Sequence, residues 1–120
     1  MATVLVIDDA AFMRLMLKDI LVEAGHRVIG EGENGNEAVE LYAKLKPDLV
    51  TLDVVMPNKT GLAAAEEILA LDPRARIIMV SSVGQEEIAR HALKIGVKAY
   101  LLKPFQPNEV KARVTEILSV

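Results

Sequence analysis

The chain has 120 residues, of which 52% are hydrophobic and 26% charged, with a formal net charge of −3. That length carries one self-supporting core, the charge leaves no basic stripe of the kind nucleic acid requires, and the composition is not that of a disordered chain. The absence of cysteine excludes disulfides and thiolate metal sites and suits a reducing compartment.

The N-terminal stretch MATVLVIDD has no basic region ahead of its apolar run and meets two aspartates too early for a secretory signal. VLVI at 4–7 reads as a first strand, followed by a helix in which Met13, Leu17, Ile20, Leu21 and Ala24 recur at helical spacing before Gly25 as a C-terminal cap. RVIG at 27–30 is the second strand candidate. In NGNEAVELYAKLKP, Asn34 and Glu37 form a capping-box pair; Ala38, Leu41, Tyr42 and Leu45 make an apolar stripe, and Pro47 ends it. LVTL at 49–52 is a third strand, and LAAAEEILALDP a helix ending at Pro73. IIMVS at 77–81 is a fourth strand, before QEEIARHALKIG, whose first turn is acidic, whose last turn carries lysine and which closes at Gly96. AYLL at 99–102 completes the strands, and QPNEVKARVTEILSV opens a last helix with Pro107 in its first turn.

Most of these strands are continuously apolar rather than alternating, as burial on both faces of a parallel sheet demands. Five strand–helix units therefore predict an α/β fold, a (βα)5 three-layer sandwich filling residues 1–120 as one domain with no output domain. No apolar run approaches the roughly 18 residues of a spanning helix, so the expectation is no membrane and a cytoplasmic chain.

In such sheets ligands sit beyond the carboxyl ends of the strands. There this sequence puts Asp8 and Asp9 after the first strand, Asp53 after the third, Ser81 and Ser82 at the end of the fourth, and Lys103 with Pro104 after the fifth. Each has a plain structural reading: Asp9 caps the first helix, Ser82 caps the fourth, and Lys103 is a solvated loop lysine. Together they read differently. Asp53 lies inside VTLDVVMP, and an ionised carboxylate among apolar residues must be paired, hydrogen-bonded or metal-bound. Three carboxylates at one rim repel one another and call for a divalent cation; all-oxygen ligands favour Mg²⁺, with Mn²⁺ as a substitute. A lysine and serine hydroxyls beside them suit phosphoryl oxygens, which makes Asp53 a candidate phosphoryl acceptor.

The combination of DD at 8–9, LDVVMP around Asp53, VSS at 80–82 and LLKPF at 101–105 resembles the receiver domain of two-component response regulators. The likeness covers essentially the whole chain, and DDAAFMRLMLKDIL and KPFQP are most similar to the standalone CheY-type chemotaxis regulators. The resemblance implies a flavodoxin-like sheet of order 2-1-3-4-5. It implies Asp53 as phosphoacceptor and Mg²⁺ held by Asp9, Asp53 and the Val55 backbone carbonyl, with Asp8 holding a metal-bound water. It further implies Ser81 and Tyr100 as switch residues, Lys103 as the partner of the phosphoryl group, and a cis peptide between Lys103 and Pro104. A histidine kinase, a phosphatase and an output protein such as a flagellar motor switch component are the implied partners, with the chain a monomer and an acceptor rather than an enzyme. Val55 and Val83 depart from the best-known chemotaxis members in lacking groups able to orient attacking water, so slow self-dephosphorylation is expected.

A phosphorelay intermediate would share every one of these residues. An aspartyl-phosphate hydrolase would use the same metal and nucleophile but would want spaced acids at the first strand in place of contiguous Asp8 and Asp9. A flavin carrier would want a Ser/Thr/Gly-rich loop there, and a degenerate scaffold would lack a site residue. His26 and His91 have no third ligand at zinc-like spacing and read as surface or helix-face residues. Met13 and Met16, near Phe12, read as core packing, and Met56 as packing beneath the acceptor loop.

Overall fold

The continuous apolar runs resolve into two cores lying on opposite faces of one sheet. In the computed structural model, which describes residues 1–82 and 84–119, the chain runs β1 (Thr3–Ile7), α1 (Ala11–Glu23), β2 (Arg27–Gly32), α2 (Gly35–Leu45), β3 (Leu49–Leu52), α3 (Gly61–Leu71), β4 (Ile77–Ser81), α4 (Glu86–Ile95), β5 (Ala99–Leu102) and α5 (Pro107–Leu118). All the strand pairings are parallel, and the order is β2-β1-β3-β4-β5, so the (βα)5 sandwich and its flavodoxin-like order hold. Because successive side chains leave opposite faces of a strand, Leu5, Ile7, Val50, Leu52, Ile77 and Met79 pack with Ala38 and Tyr42 of α2 and Ala64, Ala65 and Ile68 of α3. Their neighbours Val4, Val6, Leu49, Ile78 and Val80 pack with Leu17, Ile20 and Leu21 of α1 and Val110 and Val114 of α5.

The caps explain where the helices begin and stop. Asn34 accepts from the Glu37 amide at 2.9 Å, while the Glu37 carboxylate accepts from the Glu33 amide at 2.7 Å, one residue earlier than in the standard reciprocal pair. Gly25 (φ 91°) and Gly96 (φ 118°) take the left-handed turn after α1 and α4. In each case the next amide reaches back, His26 N–H to Leu21 and Val97 N–H to Ala92, which satisfies carbonyls the helix end leaves open.

One expectation changes, and two of the plain structural readings fall away. β2 runs two residues beyond 27–30, because Gly30 and Gly32 are not strand breakers here. A Cβ at Gly30 would stand 2.7 Å from Leu45 Cδ1 and one at Gly32 2.8 Å from Ile7 Cδ1, so their bareness lets the α2 layer close on the sheet. Asp9 does not cap α1: the cap position is Ala10, and it is Asp8 Oδ1 that accepts the Ala10 amide at 3.0 Å. Ser82 does not cap α4 either, since that helix starts after Gln85. Met13 and Met16 pack against the α1/α5 core as expected, but the neighbouring Phe12 is 69% exposed. Met56 is buried in the other core, and among the described residues no helix is long and apolar enough to cross a membrane.

Asn34→Ala removes the one side chain that caps α2 and is expected to cost about 1 kcal/mol, read as a lower urea midpoint at unchanged slope. An unmoved midpoint would show that the cap contributes nothing.

Candidate functional site

The site forms where the strand order brings the ends of β1, β3 and β5 together. Asp8 continues β1, its amide donating to Gly32 O at 3.0 Å, and Asp53 continues β3, its amide donating to Ile7 O at 3.1 Å. The main-chain ladder thus carries both carboxylates past the last strand residues and leaves them buried, at 1% and 7% exposure. Asp9 follows on the surface, and the three carboxylates offer oxygen atoms within 4.8 Å of one another. These donors fit a hard divalent cation: they are all oxygen, all anionic, and close enough to share one ion. Asp8, Asp9 and Asp53 are the residues that would hold it.

Lys103 supplies the compensating charge. Its amide donates to Ser81 O at 2.9 Å, fixing the turn after β5 on the end of β4, and the peptide to Pro104 is cis. From there the ammonium donates to Asp8 Oδ2 at 2.8 Å and reaches Asp53 Oδ2 at 3.4 Å. Burial of the Asp53 carboxyl pushes its pKa above the ordinary value of 3.8; Lys103 opposes this rise, and the neighbouring Asp8 charge adds to it. A single lysine therefore leaves the site short of positive charge, which is the electrostatic case for a cation.

Two close approaches hold the loop after Asp53. A Cβ at Gly61 would stand 1.9 Å from the Asp53 carbonyl oxygen, so only glycine lets the start of α3 lie against the acceptor, with the Gly61 amide donating to Val54 O at 2.8 Å. Gly35 plays the same part at α2, its amide donating to Lys59 O at 3.1 Å where a Cβ would meet that oxygen at 2.4 Å. Lys59 is in turn paired with Glu67 of α3.

The sequence-derived residues fall as follows. Asp8, Asp9, Asp53 and Lys103 come together. Ser81, fully buried, ends β4 and meets the site through its carbonyl. Tyr100 lies half-buried on β5 beside Met79, packed against the α2/α3 core. Val55 is exposed in the β3–α3 loop, and Val83 lies outside the described residues. His26 Nδ1 accepts the Ala2 amide at 3.2 Å and His91 faces Glu66 at 3.5 Å, and neither belongs to the Asp8–Asp9–Asp53 cluster. Sequence reading missed Gly61 and Arg14, whose guanidinium donates to the Asp8 carbonyl at 2.7 Å. The signal for Gly61 was its place at the start of a helix just beyond the acceptor loop; Arg14 gave none, because the Asp8 group it meets is a main-chain carbonyl and its carboxylate partners Glu31 and Glu33 lie beyond the helix.

Comparison with known proteins follows the same lines. Residues 4–115 match the family described as the response regulator receiver domain. The chain is 50% identical to the chemotaxis protein CheY of Thermotoga maritima over 95% of each chain, and 47% identical to that of Bacillus subtilis over 97% of each. A crystal structure of a CheX-CheY-BeF3-Mg²⁺ complex from Borrelia burgdorferi contains a chain with a TM-score of 0.94 and 33% identity, covering 96% of this chain and 87% of that one.

Because Asp53 is better accommodated neutral than charged in the metal-free fold, the stability tied to it is full below 3.8 and falls as pH climbs through its raised pKa. Asp53→Asn is therefore expected to melt above the parent protein at neutral pH in EDTA, with the gap closing as pH drops below 3.8. A variant melting at or below the parent at neutral pH would contradict the desolvation argument.

Proposed function

Since the chain belongs to the response regulator receiver domain family, we propose that it is a signalling switch that takes a phosphoryl group onto Asp53. The observation that carries this reading is the Lys103 ammonium shared between Asp8 and Asp53 beside a third carboxylate at one rim of the sheet. That arrangement holds a nucleophilic oxygen, a positive charge for phosphoryl oxygens and donors for a divalent cation in one place.

In the step proposed, an Asp53 carboxylate oxygen forms a new O–P bond with the incoming phosphoryl group. The donor's N–P bond breaks when the donor is the phosphohistidine of a kinase, and the bonding electrons leave with the imidazole nitrogen. Lys103 exchanges part of its contact with Asp8 and Asp53 for the phosphoryl oxygens, and the Ser81 hydroxyl donates to one of them. Mg²⁺, or Mn²⁺ in its place, would supply further positive charge to the transferring group; Asp9, Asp53 and the Val55 carbonyl would hold it, with Asp8 behind them placed toward a water of its shell. Tyr100, packed over β5, changes rotamer with Ser81, and the surface of α4, β5 and α5 changes affinity for a partner. The acceptor acts only as far as its phosphorylated and free forms differ in interaction energy with that surface.

Chemotaxis is the setting that the names of the two CheY relatives support; in this reading a histidine kinase is the donor, a phosphatase resets the switch, a motor-switch component is the output and the cytoplasm is the compartment. No turnover of an external substrate is part of this reading. The exposed apolar Val55 beside the acceptor offers no group to orient attacking water, so the phosphoryl group is expected to outlast the seconds of a fast self-resetting switch.

The test is intact mass after incubation with acetyl phosphate and Mg²⁺. One added phosphoryl group is expected, absent in EDTA and absent in Asp53→Asn. No gain in folded, Mg²⁺-binding protein would leave a scaffold in place of a switch. Following the decay of that mass in fresh buffer then tests the Val55 argument, and a half-life of seconds would contradict it.

A further inference from the structure

We infer that Arg14 is a positioning residue for the divalent-cation site, acting through the main chain of Asp8 rather than by touching the ion. The inference rests on the receiver reading above only in taking the Asp8–Asp9–Asp53 cluster as the cation site.

Every polar atom of Asp8 is engaged. Its amide donates to Gly32 O at 3.0 Å, Oδ1 accepts the Ala10 amide at 3.0 Å, and Oδ2 accepts from Lys103 at 2.8 Å. Its carbonyl accepts from Arg14 Nη1 at 2.7 Å. Arg14 sits one turn into α1, with its side chain only 15% exposed. The same guanidinium lies 3.4 Å from Glu31 and 3.9 Å from Glu33, the two residues that flank Gly32. The connections close into a ring: Asp8 N–H to Gly32, Gly32 through its neighbours Glu31 and Glu33 to Arg14, and Arg14 back to the Asp8 carbonyl.

The ring has two effects. It fixes the peptide plane between Asp8 and Asp9, and that plane determines where the exposed Asp9 carboxylate points relative to Asp53. It also occupies Glu31 and Glu33, carboxylates at the adjacent strand end that would otherwise add to the negative charge beside the cluster. A planar fork with several donors can serve a carbonyl and two carboxylates at once, which a lysine ammonium on a flexible stem cannot do with the same geometry. Partners that orient ligands from behind typically change metal affinity by about 10- to 100-fold when removed.

The sign of the effect separates positioning from simple electrostatics. Arg14→Gln makes the neighbourhood one charge more negative, which by itself would tighten cation binding. Loss of the clamp loosens the Asp8–Asp9 hinge and weakens it.

The experiment measures Mn²⁺ affinity by the loss of the free-ion EPR signal, and Mg²⁺ affinity by calorimetry, in the parent chain, Arg14→Gln and Arg14→Lys, each shown by circular dichroism to be folded. About tenfold weaker binding is expected for Arg14→Gln, and a smaller loss for Arg14→Lys. Unchanged or tighter binding in Arg14→Gln would overturn the inference. Should Arg14→Gln not fold, Arg14→Lys decides, read by hydrogen exchange of the Ala10 amide, which Asp8 Oδ1 protects: faster exchange together with weaker Mn²⁺ binding is expected, and parent-like values of both would overturn it. A parent chain that bound no divalent cation would fail the receiver reading itself, an outcome distinct from any change among the variants.

Discussion

The Lys103 ammonium between Asp8 and Asp53 is the interaction on which the site depends. Two carboxylates, each almost wholly removed from solvent, stand at the ends of neighbouring strands, where their charges repel and burial disfavours ionisation of Asp53. The sheet order makes the remedy possible: β1 and β3 are adjacent, β4 comes next, and β5 is the edge from which a long side chain can reach back over both acids. The Lys103 amide on Ser81 O fixes the base of that reach. One cation shared by two acids offsets only part of their repulsion, and the remainder favours a divalent ion at the rim, as the proposed phosphoryl acceptor requires.

The surrounding structure keeps that balance from relaxing. Side chains such as Leu52 and Met79 below the rim are fully buried, so the strands cannot slide to widen the spacing of the acids without opening the core. Gly61 and Gly35 allow the starts of α3 and α2 to press against the acceptor loop more closely than any other residue could. The site is thus a set of charges held at fixed separation by packing and main-chain bonds, with the exchangeable charge left to Lys103. The switch proposed above would use that asymmetry: acids held in place, and one lysine whose contacts with them would be exchanged for phosphoryl oxygens.

Much of this was legible in the sequence, for identifiable reasons. Runs such as VLVI and IIMV could only be strands buried on both sides, and in a parallel sheet whatever polar residues follow those runs must gather at one rim. That logic reached Asp8, Asp9, Asp53 and Lys103 before any coordinates. The order of the strands was not readable from periodicity and came from family resemblance. β2 read two residues short because the reasons for Gly30 and Gly32 lie in Leu45 and Ile7, side chains distant in sequence. The plain reading of Asp9 as the cap of α1 fails because the cap position is Ala10, with no side-chain cap, and spacing cannot tell that it is Asp8 Oδ1 that takes the Ala10 amide. Arg14 was silent for the same reason, since its partners Glu31 and Glu33 lie across the first crossover.

The measurement closest to the central claim is a direct titration of the Asp53 carboxyl carbon by ¹³C NMR, first in EDTA and then with saturating Mg²⁺. Burial only partly offset by Lys103 predicts a midpoint above 3.8 without metal and a lower one with it. A midpoint at or below 3.8 in EDTA, indifferent to Mg²⁺, would mean that Lys103 alone neutralises the pair and that the rim has no unmet demand for a cation.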